Sequence, residues 1–318
     1  MEIPLACRLE PPWHTLARRL SPVVLAGVFG LVGCAVGPPA VPPPVTESAP
    51  VVAPVAPRKP PRVALVLGGG AARGFAHVGV IQVLEEAGIK PDLVVGTSAG
   101  SLVAAIYASG KTGTQLQQIA IDMEEAMLTD WSLPLFGRGV LRGEALARYV
   151  NGQVGNRTID SLPLPLGIVA TDLHSGDGIL FRRGDTGLAV RASSAVPSLF
   201  QPVKIGAREF VDGGLVAPVP VRYAREMGAE LVIAVDISNQ PQSNSADGTF
   251  QVLLQTFSIM GKSISAYELR DADVVVRPAL GAVGGADFGS RRRSIEAGRA
   301  AMLLALPAYR SRLASRYP

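Results

Sequence analysis

Only two cysteines, Cys7 and Cys34, and three histidines, His14, His77 and His174, occur in this chain of 318 residues. Disulfide frameworks need paired cysteines and structural zinc sites need clusters of cysteine and histidine, so neither is expected. The same scarcity argues against a metal-dependent mechanism, and no metal or other cofactor is expected. No histidine follows His174, which removes the late histidine that the serine–acid–histidine order of α/β-hydrolases requires. His174 is left as the histidine that a differently ordered triad would use. Charged residues make up 18% of the chain and sum to +4. No nucleic-acid-binding motif accompanies that surplus, so nucleic acid is not an expected partner. Arg291, Arg292 and Arg293 form a local cluster that suits a solvated helix start or contact with anionic headgroups.

Against these absences stands Gly96-Thr97-Ser98-Ala99-Gly100. The apolar Leu93-Val94-Val95 precedes it and the apolar segment 102–107 follows. This pattern predicts a strand, a tight turn and a helix, with Ser98 at the apex of a Gly-x-Ser-x-Gly elbow. Such a bend pushes the serine oxygen out at the end of a sheet, and the following helix aims its free N–H groups at it. Ser98 is therefore a candidate nucleophile; an ordinary Gly/Ser turn is the alternative.

Upstream, the β-branched run 62–67 predicts a buried strand. Gly68-Gly69-Gly70-Ala71-Ala72-Arg73-Gly74 follows, then a predicted helix over 75–87 with Gly88 as its stop. A glycine-rich loop at a helix start presents N–H groups to an anion, either a dinucleotide phosphate or an acyl-transfer oxyanion. The dinucleotide fingerprint fails on spacing. Counted from Gly68, its sixth position is Arg73, and counted from Gly69, its third is Ala71. The next strand also ends in the serine elbow and not in an acid.

A serine needs a base. Phe210-Val211 reads as a short strand that delivers Asp212 to Gly213-Gly214, where the glycines allow close approach of the backbone. The same triplet also suits a plain turn. Taken together, the glycine loop with Arg73, the Gly96–Gly100 elbow, Ala192-Ser193-Ser194-Ala195-Val196-Pro197 followed by Phe200-Gln201-Pro202, and Asp212-Gly213-Gly214 resemble the patatin-like phospholipase family over residues 62–237. That resemblance implies a serine–aspartate dyad, with Ser98 as nucleophile and Asp212 as its base. It also implies an oxyanion hole from the backbone N–H groups of Gly69, Gly70 and Ala71. Gly68, Gly74, Gly96, Gly100, Gly213 and Gly214 would support the motifs. Many family members have glycine where this chain has Ala71. Arg73 has three readings: a partner for a lipid phosphate, a brace for the loop, or a surface arginine at a helix start.

The N-terminus carries its own signals. Arg8, Arg18 and Arg19 precede the uncharged stretch 22–33, which falls short of the roughly 20 apolar residues of a membrane span and fits a signal peptide. Leu31-Val32-Gly33-Cys34 resembles the lipobox of bacterial lipoproteins, which implies cleavage before Cys34 and lipidation of its thiol. Ala35 at the next position implies the outer-membrane-directed class, hence a lipid-anchored protein of the bacterial envelope on the periplasmic side. Residues 35–61, rich in proline, valine and alanine, predict an extended tether.

Residues 62–318 suit one catalytic domain. Helices are expected over 112–127, from 143, over 250–269 and from 290, and strands over 164–173, 178–181, 230–237 and 272–276. The apolar loop 128–140 reads as core filling or as a lid. Alternating strands and helices predict an α/β fold: a mostly parallel sheet with helices on both faces, the three-layer arrangement that the resemblance implies. The expected activity is hydrolysis of a lipid or ester substrate. The alternative is a membrane-tethered binding or regulatory module with little turnover.

Overall fold

The computed structural model describes residues 59–124, 130, 138–238, 248–281 and 283–316. The expected leader, Cys34 and nearly all of the tether lie outside them, as does most of the 128–140 loop.

The run after the tether forms β1 (Val63–Leu67) and the glycine loop leads into α1 (Phe75–Glu86). The elbow joins β2 (Leu93–Thr97) to α2 (Ala99–Ala108). Every residue of β1 and β2 is buried, which is why both read as unbroken apolar runs instead of alternating ones. Next come α3 (Gly113–Asp122), β3 (Gly139–Leu141), α4 (Glu144–Gln153), β4 (Leu166–Asp172), β5 (Gly178–Phe181) and α5 (Thr186–Ser193). The chain continues through β6 (Ser198–Phe200), β7 (Val203–Ile205), β8 (Arg208–Asp212), α6 (Val221–Glu226), β9 (Leu231–Val235), α7 (Thr249–Glu268), β10 (Val274–Val276) and α8 (Arg291–Arg316).

One eight-stranded sheet organises the domain. β10, β9, β1, β2 and β4 lie side by side and parallel. β5, β8 and β7 add an antiparallel flank. Residues of β1 alternate between its two faces. Val63, Leu65 and Leu67 join a core with α1, α3 and α8, whereas Ala64 and Val66 face α6. The expected three-layer arrangement is present.

The register around β4 positions the site. β2 pairs with residues 166–169 of β4, β5 with 168–171, and β8 with 170–172. A strand has two edges, so the overlaps put β5 on one edge of β4 and both β2 and β8 on the other. β2 runs parallel to β4 and β8 antiparallel, so their C-terminal ends meet. Ser98 follows one end and Asp212 is the other.

Two expectations change. The helix expected over 112–127 stops at Asp122, because Met123 is extended. The stop is capped from outside: Arg291 Nη1 donates to the carbonyls of Ile121 and Met123 at 2.7 Å each. Arg291 also lies over the Phe75 ring, so this member of the arginine cluster is a structural cap, while Arg292 and Arg293 are exposed. The short β3 and β6 form a separate two-stranded parallel pair that the sequence did not announce.

α1 and α8 cross at bare backbone. A Cβ at Gly79 would collide with the Ile295 carbonyl, and one at Gly298 with the Ala76 carbonyl. Gly298→Val is expected to cost roughly 1–3 kcal/mol by overpacking, read as a lower urea midpoint at unchanged slope.

Candidate active site

Ser98 sits at φ +53°, ψ −125°, a backbone conformation that a non-glycine residue adopts at a cost of roughly 1–3 kcal/mol. Local bonds hold it there. Its N–H donates to Ser193 Oγ at 2.8 Å, and its carbonyl accepts from Ser101 N–H at 2.8 Å and from Ser101 Oγ at 2.6 Å. Just before it, Thr97 Oγ1 donates to the Ala217 carbonyl at 2.8 Å. The elbow glycines serve close approach and not positive φ. A Cβ on Gly100 would strike the Leu67 carbonyl, and one on Gly96 would lie 2.5 Å from the Gly100 carbonyl.

Ser98 Oγ donates to Asp212 Oδ2 at 2.6 Å. The other carboxyl oxygen, Oδ1, accepts the Gly214 N–H at 2.6 Å. Asp212 is fixed through its backbone as well: its N–H reaches the Ala195 carbonyl at 2.9 Å, and its carbonyl accepts from Thr171 Oγ1 at 2.8 Å. Gly213 is required because a Cβ there would collide with the Val169 carbonyl. Burial pushes Asp212 up to about 6, against the opposing pull of the Ser98 and Gly214 hydrogen bonds. Asp172, two residues beyond Ala170 on β4, shows the contrast: the Ser175 N–H and Arg208 hold it down to about 2. No such cation pairs with Asp212 among the described residues.

The glycine loop reaches the site edge-on. Gly69 is packed against Ser98, but its N–H donates to the Pro218 carbonyl at 2.9 Å. That bond takes Gly69 out of the expected donor set. The Gly70 and Ala71 N–H groups have no backbone acceptor among the described residues. Ala71 sits at φ +50°, the left-handed region where many relatives were expected to have glycine. Gly68 N–H donates to the Val235 carbonyl at 3.0 Å, and Gly74 lies against Ala99.

Arg73 braces this loop. It is buried, which removes the surface reading, and its Nε donates to the Ile237 carbonyl at 2.8 Å, as the brace reading has it. Burial lowers its guanidinium to about 10, with Asp236 opposing. His77 has a related part. Its Nε2 lies 2.8 Å from the Gly68 carbonyl, and a carbonyl only accepts, so Nε2 carries the proton. Burial lowers the ring to about 4, and Nδ1 has no partner among the described residues. His174 is exposed on the turn after β4, 3.3 Å from Glu209, and is not brought to Ser98. Ser193 carries more than the sequence reading assigned to it: besides holding Ser98 N–H, its Oγ donates to the Val169 carbonyl at 2.6 Å. The Ala192–Ala195 segment was the signal, though its role as a bridge between elbow and base was not legible.

The chain matches the family model described as Patatin-like phospholipase over residues 65–225, a stretch that holds both Ser98 and Asp212. An uncharacterized NTE family protein of Mycobacterium tuberculosis is 34% identical over 206 residues, covering 65% of this chain and 57% of its own. A second from the same species is 31% identical over 271 residues, covering 77% of this chain and 46% of its own. Patatin-like phospholipase domain-containing protein 6 of Mus musculus is 35% identical over 191 residues, covering 57% of this chain and 14% of the mouse protein. The chain thus spans about half the length of the mycobacterial relatives. Among solved structures, VipD from Legionella pneumophila shares the fold, with a TM-score of 0.54 at 16% identity, covering 79% of this chain and 67% of VipD.

Because Asp212 is held above its ordinary carboxylate value, the folded state binds its proton more tightly than the unfolded chain does. That stabilisation is complete below the unfolded value and lost as pH rises through about 6. Asp212→Asn removes the dependence. Between pH 4 and pH 7.5, the difference in unfolding free energy should move by about 2.4 kcal/mol in the variant's favour, measured by urea melts of both proteins.

Proposed function

Because the chain belongs to the patatin-like phospholipase family, we propose that it is a lipid acyl hydrolase that works through a Ser98–Asp212 dyad. The observation that carries this reading is the 2.6 Å hydrogen bond from Ser98 Oγ to a buried carboxylate, made by a serine at positive φ. In this mechanism Ser98 Oγ attacks the ester carbonyl while Asp212 takes its proton. The carbonyl oxygen becomes an oxyanion beside the Gly70 and Ala71 N–H groups; losing one such donor typically costs about 3 kcal/mol of barrier. Asp212 hands the proton to the departing alcohol, leaving an acyl group on Ser98. Water then attacks the acyl-enzyme, giving one proton to Asp212, which returns it to Ser98 Oγ as the fatty acid leaves.

A carboxylate shifted toward neutrality suits this work, because a base is most effective when its pKa lies near the working pH. The substrates are phospholipids, lysophospholipids or simpler carboxylic esters. The signal-like segment and the Leu31–Cys34 sequence support a further part of the reading: attachment to a bacterial envelope membrane through lipidated Cys34. In that reading the wild-type protein incorporates labelled palmitate and Cys34→Ser does not.

The test of the dyad is labelling with a fluorescent fluorophosphonate alongside ester turnover. Wild type should label and Ser98→Ala should not, with turnover lowered about 10⁴-fold or more. Asp212→Asn should lose turnover to a similar degree and His174→Ala should keep most of it. Near-total loss in a folded His174→Ala variant would overturn the dyad. The kcat/KM profile should fall about tenfold per pH unit below about 6.

A further inference from the structure

α7 is covered on one side and bare on the other. Val252, Thr256, Ile259, Met260, Ser263 and Tyr267 recur at the spacing of a single helical stripe, and all six are exposed. The apolar members are well out in solvent: Val252 is 50% exposed, Ile259 52%, Met260 51% and Tyr267 69%. On the opposite side Gly261 faces Pro218. From Thr249 to Tyr267 the helix carries one charge, Lys262, and no acid.

Such a face calls for an apolar cover, and its surroundings indicate which. α7 joins two parallel strands as a crossover, so its first turns lie toward the catalytic edge of the sheet. It packs on the Gly213–Leu215 turn that directly follows Asp212. Pro218, beneath Gly261, supplies the carbonyl that holds the Gly69 N–H. The bare stripe is therefore one layer from the base and the glycine loop. No helix among the described residues is long and apolar enough to cross a membrane. A helix with an exposed apolar stripe, a single lysine and no exposed acid, its last residue Glu268 being buried against Arg222, suits the plane of an anionic lipid interface.

We propose that the α7 stripe docks the domain on a phospholipid surface and thereby brings the catalytic edge to its substrate. The choice of a lipid occupant over a second copy of the chain rests on the lipid-hydrolase reading, on the lack of an exposed acid along the helix and on its packing against the turn that follows Asp212.

The experiment uses the chain from Cys34 onward with Cys34→Ser, the mature form that the leader reading implies, so that neither the apolar stretch 22–33 nor an acyl anchor contributes. This parent is compared with Ile259→Asp/Met260→Asp and, separately, Val252→Asp. Each is sedimented with phosphatidylglycerol/phosphatidylethanolamine vesicles, assayed on vesicle phospholipid and on a soluble short-chain ester, and sized by light scattering. The double variant is expected to lower vesicle partitioning and vesicle hydrolysis by about tenfold or more, with soluble-ester turnover and near-UV circular dichroism retained. Val252→Asp should do the same to a smaller degree. Unchanged partitioning in both variants overturns the proposal. So does a parent dimer that both variants convert to monomer without loss of vesicle binding, which assigns the stripe to a second copy. Loss of circular dichroism in the double variant and unchanged partitioning in a folded Val252→Asp also overturns it, making the stripe structural. Stripe-dependent vesicle binding in a parent that hydrolyses neither substrate sinks the hydrolase reading and leaves the docking intact.

Discussion

Two strands cannot occupy the same stretch of one strand edge, and the site exists because β2 and β8 divide one edge of β4 between them. β2 takes the first part, running parallel, and β8 takes the rest, running antiparallel. Their ends are forced together, so the residue after one and the last residue of the other become neighbours although 114 positions separate them. Everything else near the site secures that junction. Ser193 bonds to the Ser98 N–H and to the Val169 carbonyl, tying the elbow to β4 where the two partners change over. Ala195 receives the Asp212 N–H, and Ala217 receives the Thr97 hydroxyl. The turn after the base is thereby bonded back to the strand that carries the nucleophile.

Much of this was legible in the residues. Fully buried parallel strands must be apolar along their whole length, so 62–67 and 231–235 announce themselves. The elbow is legible because close approach of α2 to β1 leaves no room for a side chain at Gly100. What was not legible depends on partners far along the chain. The loss of the Gly69 N–H to Pro218 turns on a bond across roughly 150 residues that no local pattern encodes. Arg73 and Arg291 look alike in sequence to solvated arginines. Each is inward only because a helix or strand end leaves bare carbonyls within reach, at Ile237 for one and at Ile121 and Met123 for the other. The paired β3 and β6 are three residues each, too short for periodicity to register.

The electrostatics of the site are unusual in using so few charges. A buried carboxylate normally acquires a cation, as Asp172 has Arg208. Asp212 has instead a hydroxyl and an amide, which orient it without neutralising it. A cation there would depress the base and hold its lone pairs. The histidine behind the glycine loop adds no charge either, since the buried His77 ring stays neutral across the physiological range.

That pair of buried groups has a consequence for the molecule in acid. His77 is depressed from its ordinary value to about 4, so its contribution to stability is present above about 6.5 and lost as pH falls through about 4. Asp212 is displaced the other way across nearly the same interval. As the medium acidifies, the aspartate takes up its proton favourably while the ring resists its own, and two swings of about 3 kcal/mol oppose each other. The two titrations thus push stability in opposite directions: protons can switch off the base while its own uptake of a proton offsets part of what acid costs the fold at His77.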